Sequence, residues 1–136
     1  MQMGGAPAQL YDQARDGVVD VVWSLAGYTP GRFPRSEAFE LPFFTYDAEG
    51  SSRAAWDYIA NYAPDEFREV KLLACHTHGL NILHMKSKLV TKASDMRGLK
   101  IRGGTRKNTQ ILSAVGAIAV GMPLPEVPNA LSKGLI

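Results

Sequence analysis

Apolar positions along this chain keep two different rhythms, and where the rhythm changes the elements can be read. Leu10 and Ala14 stand four apart in the stretch Gln9 to Arg15, which predicts a short helix stopped by Asp16-Gly17. Before it, "MQMGGAP" has the look of a strand tail running into a Gly-Pro turn. Val18 to Trp23 is a nearly continuous, β-branched apolar run, the pattern of a strand buried on both faces of a parallel sheet. Gly27, Pro30, Gly31, Pro34 and Pro42 then predict a structured, aromatic-rich loop with one helical turn at Ser36 to Phe39. Ser51 to Tyr62 returns to helical spacing, with Ala55 and Ile59 on one face and Pro64 as the stop. Val70 to Cys75 predicts a second strand, and Leu80 to Met85 further extended chain after Gly79. "KASDMRGLK" predicts a loop and a short turn capped by Ser94. Last come a strand at Leu99 to Arg102, a helix at Thr105 to Val115, a strand at Ala117 to Val120 and a helix at Pro125 to Ser132. Strand and helix in alternation specify an α/β fold with a mainly parallel sheet.

Length and charge narrow the class. A chain of 136 residues has room for one ordinary core or two small lobes. The net charge of +2 comes from basic residues scattered among acids, with no run to follow a phosphate backbone, so nucleic acid is not an expected partner. No apolar run reaches the ~20 residues of a membrane-spanning helix. The opening residues carry neither a positive n-region nor an apolar h-region, and so no secretory signal is read there. Cys75 is the single cysteine, which rules out a disulfide within the chain.

Two stretches hold candidate chemistry. "CHTHGLNILH" gathers Cys75, His76, His78 and His84, and histidines two apart on a strand share a face, as in some metal sites. The spacing matches no strong zinc pattern. Cys75 and His76, adjacent on a strand, would face opposite ways and could not activate each other. Ser24, Ser87 and Thr105 lack the context of a nucleophile elbow, so no triad is read. In "LKIRGGTRKNTQ" a strand carries Arg102 into Gly103-Gly104 and then a helix. A guanidinium at such a strand end can grip a carboxylate or phosphate through two parallel hydrogen bonds. The bare Gly-Gly lacks the rest of a P-loop or dinucleotide fingerprint and reads more simply as a tight strand-to-helix turn.

"QARDGVVDVVWSLAGYTPGRFPRSEAFELPFF", "MRGLKIRGGTR" and "LSAVGAIAVGMPLPEVPNALSKGLI" together resemble the extracytoplasmic solute-binding proteins of tripartite ATP-independent periplasmic (TRAP) transporters, the DctP family. The resemblance covers nearly the whole chain. It implies a periplasmic-binding-protein-like fold of two α/β lobes closing on a ligand, with residues 1–78 part of the first lobe and 79–136 part of the second. It implies that Arg102 binds the carboxylate of a small organic acid, that Trp23, Leu25 and Tyr28 line the first-lobe wall, and that His78 and Asn81 lie near the ligand. Leu124 occupies a position often held by a covering aromatic, and Arg106 is a second cation beside the first. The partners implied are an organic acid and the membrane subunits of the transporter, in a periplasmic setting, with ion-gradient-driven uptake, no cofactor and no bond chemistry. Gly134, a helix-ending glycine, is followed by Leu135-Ile136, which read as the start of another strand. Against the family pattern both ends of the chain are expected to be internal to a longer protein. Open sheet edges in such a piece are expected to favour homo-oligomers.

Overall fold

The computed structural model describes residues 4–136, so that Met1 to Met3 of the expected opening strand tail lie outside the described residues. The chain forms two compact units, one ending at Gly79 and the other running from Leu80 to Ile136.

In the first unit, α1 (Leu10–Arg15) and α2 (Ala48–Tyr62) are joined by 3-10 turns at Ala26–Tyr28 and Ser36–Glu40, and a further turn follows at Pro64–Phe67. Helix α2 begins three residues before the position expected from its apolar face. Asp47 is the cause, since its carboxylate accepts the amide of Gly50 at 2.6 Å and pays the cost of starting the helix there. Ser51, Ala55 and Ile59, four apart, are its buried stripe.

The core of this unit combines the small aliphatic face of α2, Ala55 and Ile59 with the C-cap Ala63, and one buried ring, Phe33. Phe33, 3% exposed, meets Tyr11 edge-on at 5.1 Å and stacks on Phe67 at 4.7 Å. Around it the turns are tied by charged side chains. Arg32 lies 4.0 Å over the Tyr11 ring and pairs with Asp12 at 2.7 Å and Glu69 at 3.3 Å. The Glu66 side chain is only 4% exposed, and it accepts from the Arg35 amide at 2.6 Å, the Ser36 amide at 3.1 Å and the Ser36 hydroxyl at 2.7 Å. Those donors open the Ser36–Glu40 turn and make burial of the carboxylate tolerable. Beside them, the Arg35 guanidinium holds the Asp65 carboxyl below the usual carboxylate range.

The expected strands at Val18 to Trp23 and Val70 to Cys75 are not strands here. The amides of Val18 and Val19 are taken by the carbonyl of Gln13, closing α1, and among the described residues neither segment has a ladder partner. Val18, Val21, Trp23 and Leu73 are exposed, the opposite of burial on two faces. A β-branched run biases the backbone towards extension, but a strand exists only where a neighbour supplies hydrogen bonds. Leu80 to Met85 is likewise without a ladder.

The second unit is a β-α-β crossover. Strand β1 (Lys100–Gly103) pairs in parallel with β2 (Ile118–Gly121), in the register Lys100 with Ile118 through Gly103 with Gly121. Helix α3 (Arg106–Ala114) connects them and packs on both, and α4 (Val127–Ser132) follows a 3-10 turn at Leu124–Glu126. Thr105 caps α3 by accepting the Asn108 amide at 3.2 Å. Gly17, Gly116 and Gly134 end α1, α3 and α4 in the same way, each with positive φ and each followed by an amide bonded five residues back. Ahead of β1 the expected Ser94 cap is not used. Asp95 organises that turn, accepting from the Thr91 amide at 3.2 Å, the Thr91 hydroxyl at 3.1 Å and the Lys92 amide at 3.3 Å. These bonds, led by the Thr91 amide, hold its carboxyl below the ordinary value of 3.8.

Candidate ligand-binding site

Ile101 and Gly103 are buried residues of β1, whereas Lys100 is exposed and Arg102 half-buried, the alternation of a strand covered on one face. The ladder continues one step past β2, where the Met122 amide donates to the Gly103 carbonyl at 3.2 Å. That step brings the Met122 carbonyl next to Arg102, whose Nε donates to it at 2.9 Å. The guanidinium lies against Gly104, where a Cβ would come within 3.0 to 3.2 Å of Nη1, Cζ and Nη2. Among the described residues no carboxylate pairs with Arg102. A cation is thus presented, oriented by a neutral carbonyl, at the carboxyl ends of two parallel strands, which is where open α/β sheets carry their ligands.

Leu124 leaves the same end of β2 through Met122-Pro123 and is exposed. Arg106 opens α3 and is exposed, as is Asn81 near the start of this unit.

In the first unit Trp23 is 80% exposed, Leu25 is exposed and Tyr28 half-buried in its 3-10 turn. The Trp23 indole lies parallel to the His76 ring at 6.0 Å and donates Nε1–H to His76 Nε2 at 3.0 Å. Sequence reasoning missed that pairing, because 53 residues separate the two. Thr77 is tied to α2 through its amide, which donates to Ser52 Oγ at 2.9 Å. His78 is exposed, with Nδ1 2.6 Å from the Gly79 carbonyl.

The histidine-cysteine group does not converge. Among the described residues no three of His, Cys, Asp or Glu are placed to hold a metal. His76 Nε2 is taken by the indole, and burial pushes the Cys75 thiol up, away from the thiolate a nucleophile needs. No helix among the described residues is long and apolar enough to cross a membrane.

The second unit thus presents the Arg102 guanidinium at a strand terminus with no acid paired to it among the described residues, an arrangement able to receive an anion. Comparison with known proteins shows the family. The family model of bacterial extracellular solute-binding proteins, family 7 (DctP), matches residues 2–136, and the chain belongs to that family. It is 57% identical to a TRAP solute-binding protein from Rhodoferax ferrireducens in complex with copurified benzoate, with a TM-score of 0.97, covering 100% of this chain and 42% of that one. A marine metagenome TRAP solute-binding protein specific for aromatic acid ligands, with 3-hydroxybenzoate, is 51% identical at a TM-score of 0.97, again over 100% and 42%. A TRAP periplasmic solute-binding protein from Bordetella bronchiseptica with bound (R)- and (S)-mandelate is 40% identical at a TM-score of 0.85, over 95% of this chain and 42% of that one. The chain therefore has the TRAP periplasmic-binding-protein fold, over about two fifths of the length of the structures it matches.

Proposed function

We propose that this chain carries the ligand-gripping part of a TRAP transporter's substrate-binding component, and that it captures a small aromatic carboxylate through Arg102. The observation that carries the reading is the Arg102 guanidinium, oriented by the Met122 carbonyl and unpaired with any acid among the described residues. An arginine in that state meets a carboxylate with a planar pair of donors. Benzoate, 3-hydroxybenzoate and mandelate, the ligands of the related structures, share a carboxylate on or one carbon away from a benzene ring.

Each unit is assigned its own contacts: in the first, Trp23, Leu25 and Tyr28 are the proposed apolar contacts and His78 a polar one; in the second, Asn81 is a polar contact for ring substituents, Leu124 a cover and Arg106 a second source of positive potential. Closure on the acid would create the form that the membrane subunits recognise, a shift driven by tighter binding to the closed state. Uptake would then be driven by an ion gradient across those subunits.

Titration of the chain with benzoate by calorimetry tests this. Arg102→Lys keeps the charge but loses the planar fork, and its affinity is expected to fall by roughly 10- to 100-fold, the worth of a hydrogen bond to a charged group. Undiminished affinity in that variant removes Arg102 from the role.

A further inference from the structure

Gly103 and Gly104 stand side by side, yet neither has a positive φ, so backbone freedom does not account for either. What a Cβ would meet separates them. At Gly103 it would strike the Thr109 hydroxyl at 2.5 Å and, closer to the helix axis, the Thr109 amide nitrogen at 2.9 Å and Cα at 3.0 Å. That glycine is needed for α3 to lie on the sheet. At Gly104 the three nearest atoms all belong to the Arg102 guanidinium. A Cβ there would press on the end of a side chain and not on backbone, so the guanidinium would have to give by a few tenths of an ångström.

We propose that Gly104 and the Met122 carbonyl are the positioning elements of the Arg102 guanidinium, and that together they dictate how it takes a carboxylate. An arginine offers two edges to an acid, one made of Nε and an Nη, the other of both Nη groups. The Met122 carbonyl occupies Nε, which leaves the Nη1/Nη2 end as the bidentate edge. Gly104 leaves free the space in which Nη1, Cζ and Nη2 lie, so that the end-on edge can keep one direction. Ordering of this kind removes conformational cost that binding would otherwise bear. Met122 contributes through its backbone carbonyl, which a change of side chain other than to proline leaves in place, whereas any Cβ at 104 presses on the guanidinium.

The inference deepens the carboxylate reading and rests on it for its ligand, but the orientation can be measured without one. In the 15N-labelled chain the Arg102 Hε resonance is identified by its loss in Arg102→Lys. It is expected to exchange slowly with water, as a proton held by a carbonyl does, and to lose that protection in Gly104→Ala while the amides of β1 and β2 keep theirs. Benzoate affinity is expected to fall about tenfold in Gly104→Ala and to be insensitive to the same change in an Arg102→Lys background, the signature of coupling between the two positions. An Arg102 Hε that exchanges as fast as those of exposed arginines, or one unaltered by Gly104→Ala, overturns the proposal. If Arg102→Lys binds benzoate as the parent does while Hε stays protected and sensitive to Gly104, the positioning stands and the carboxylate assignment falls.

Discussion

The unit ending at Gly79 holds its turns with side chains, whereas the unit beginning at Leu80 holds its layers with backbone. In the first, the Ser36–Glu40 turn hangs on the Glu66 carboxylate, Arg32 bridges Asp12 and Glu69, and the buried Phe33 ring stacks on Phe67. In the second, a four-residue parallel ladder and a capped helix share the work, and the contact that matters most is a glycine against a threonine. Exposed ion pairs are each worth only about 0–1 kcal/mol, so the first unit depends on the buried Phe33 ring and the aliphatic face of α2 more than on its many charges. The second depends on close approach, where one added methyl is felt.

Both tryptophans, Trp23 and Trp56, lie in the first unit, so fluorescence follows that unit alone. The largest effect is expected from Phe33→Ala, which removes the ring between Tyr11 and Phe67 and should cost about 3–5 kcal/mol in fluorescence-detected denaturation. Hydrogen exchange of the β1 and β2 amides should be unmoved by it. Equal loss in both signals would show that the units share one stability. Gly103→Ala is the reverse experiment, expected to cost about 1–3 kcal/mol by overpacking against Thr109, seen in exchange of the strand amides and absent from fluorescence. A harmless alanine at that position would mean that α3 can ride up from the sheet.

The smallest effect concerns Asp95. Its carboxyl is held below 3.8, so the folded state favours the ionised form; its contribution is complete above 3.8 and is lost as pH falls through the lower folded value. The Asp95→Asn variant should therefore show a shallower loss of exchange protection in the second unit on acidification. An unchanged acid limb would count against Asp95 as the organiser of the turn before β1.

Where local signals and tertiary partners agreed, the elements could be read directly. Leu99 to Arg102, the helix after Thr105, the strand after Gly116 and the stop at Gly134 all carry their own punctuation, and all are observed within a residue or two. Val18 to Trp23 and Val70 to Cys75 could not be read the same way, because a strand is a relation between two segments and the residues of one do not encode the presence of the other. Part of the candidate site was legible for a similar reason. Arg102 announced itself as a charge at a strand end, but its orienting partner is a carbonyl, which every residue has and no residue type signals. The neighbouring Gly-Gly was visible, while the separate tasks of its two members were not. Trp23 and His76 meet only in three dimensions.

The register of the parallel pair has a bearing on the order in which the molecule assembles. Every rung joins residues 18 apart, as 100 to 118 and 103 to 121, and the Arg102 to Met122 hydrogen bond spans 20. Loops of about ten residues close in roughly 10–100 ns, so a contact across 20 residues is sampled early in any search through conformations. The cation is therefore aimed by chain that is close by in sequence, and its direction does not wait on pairings between distant segments.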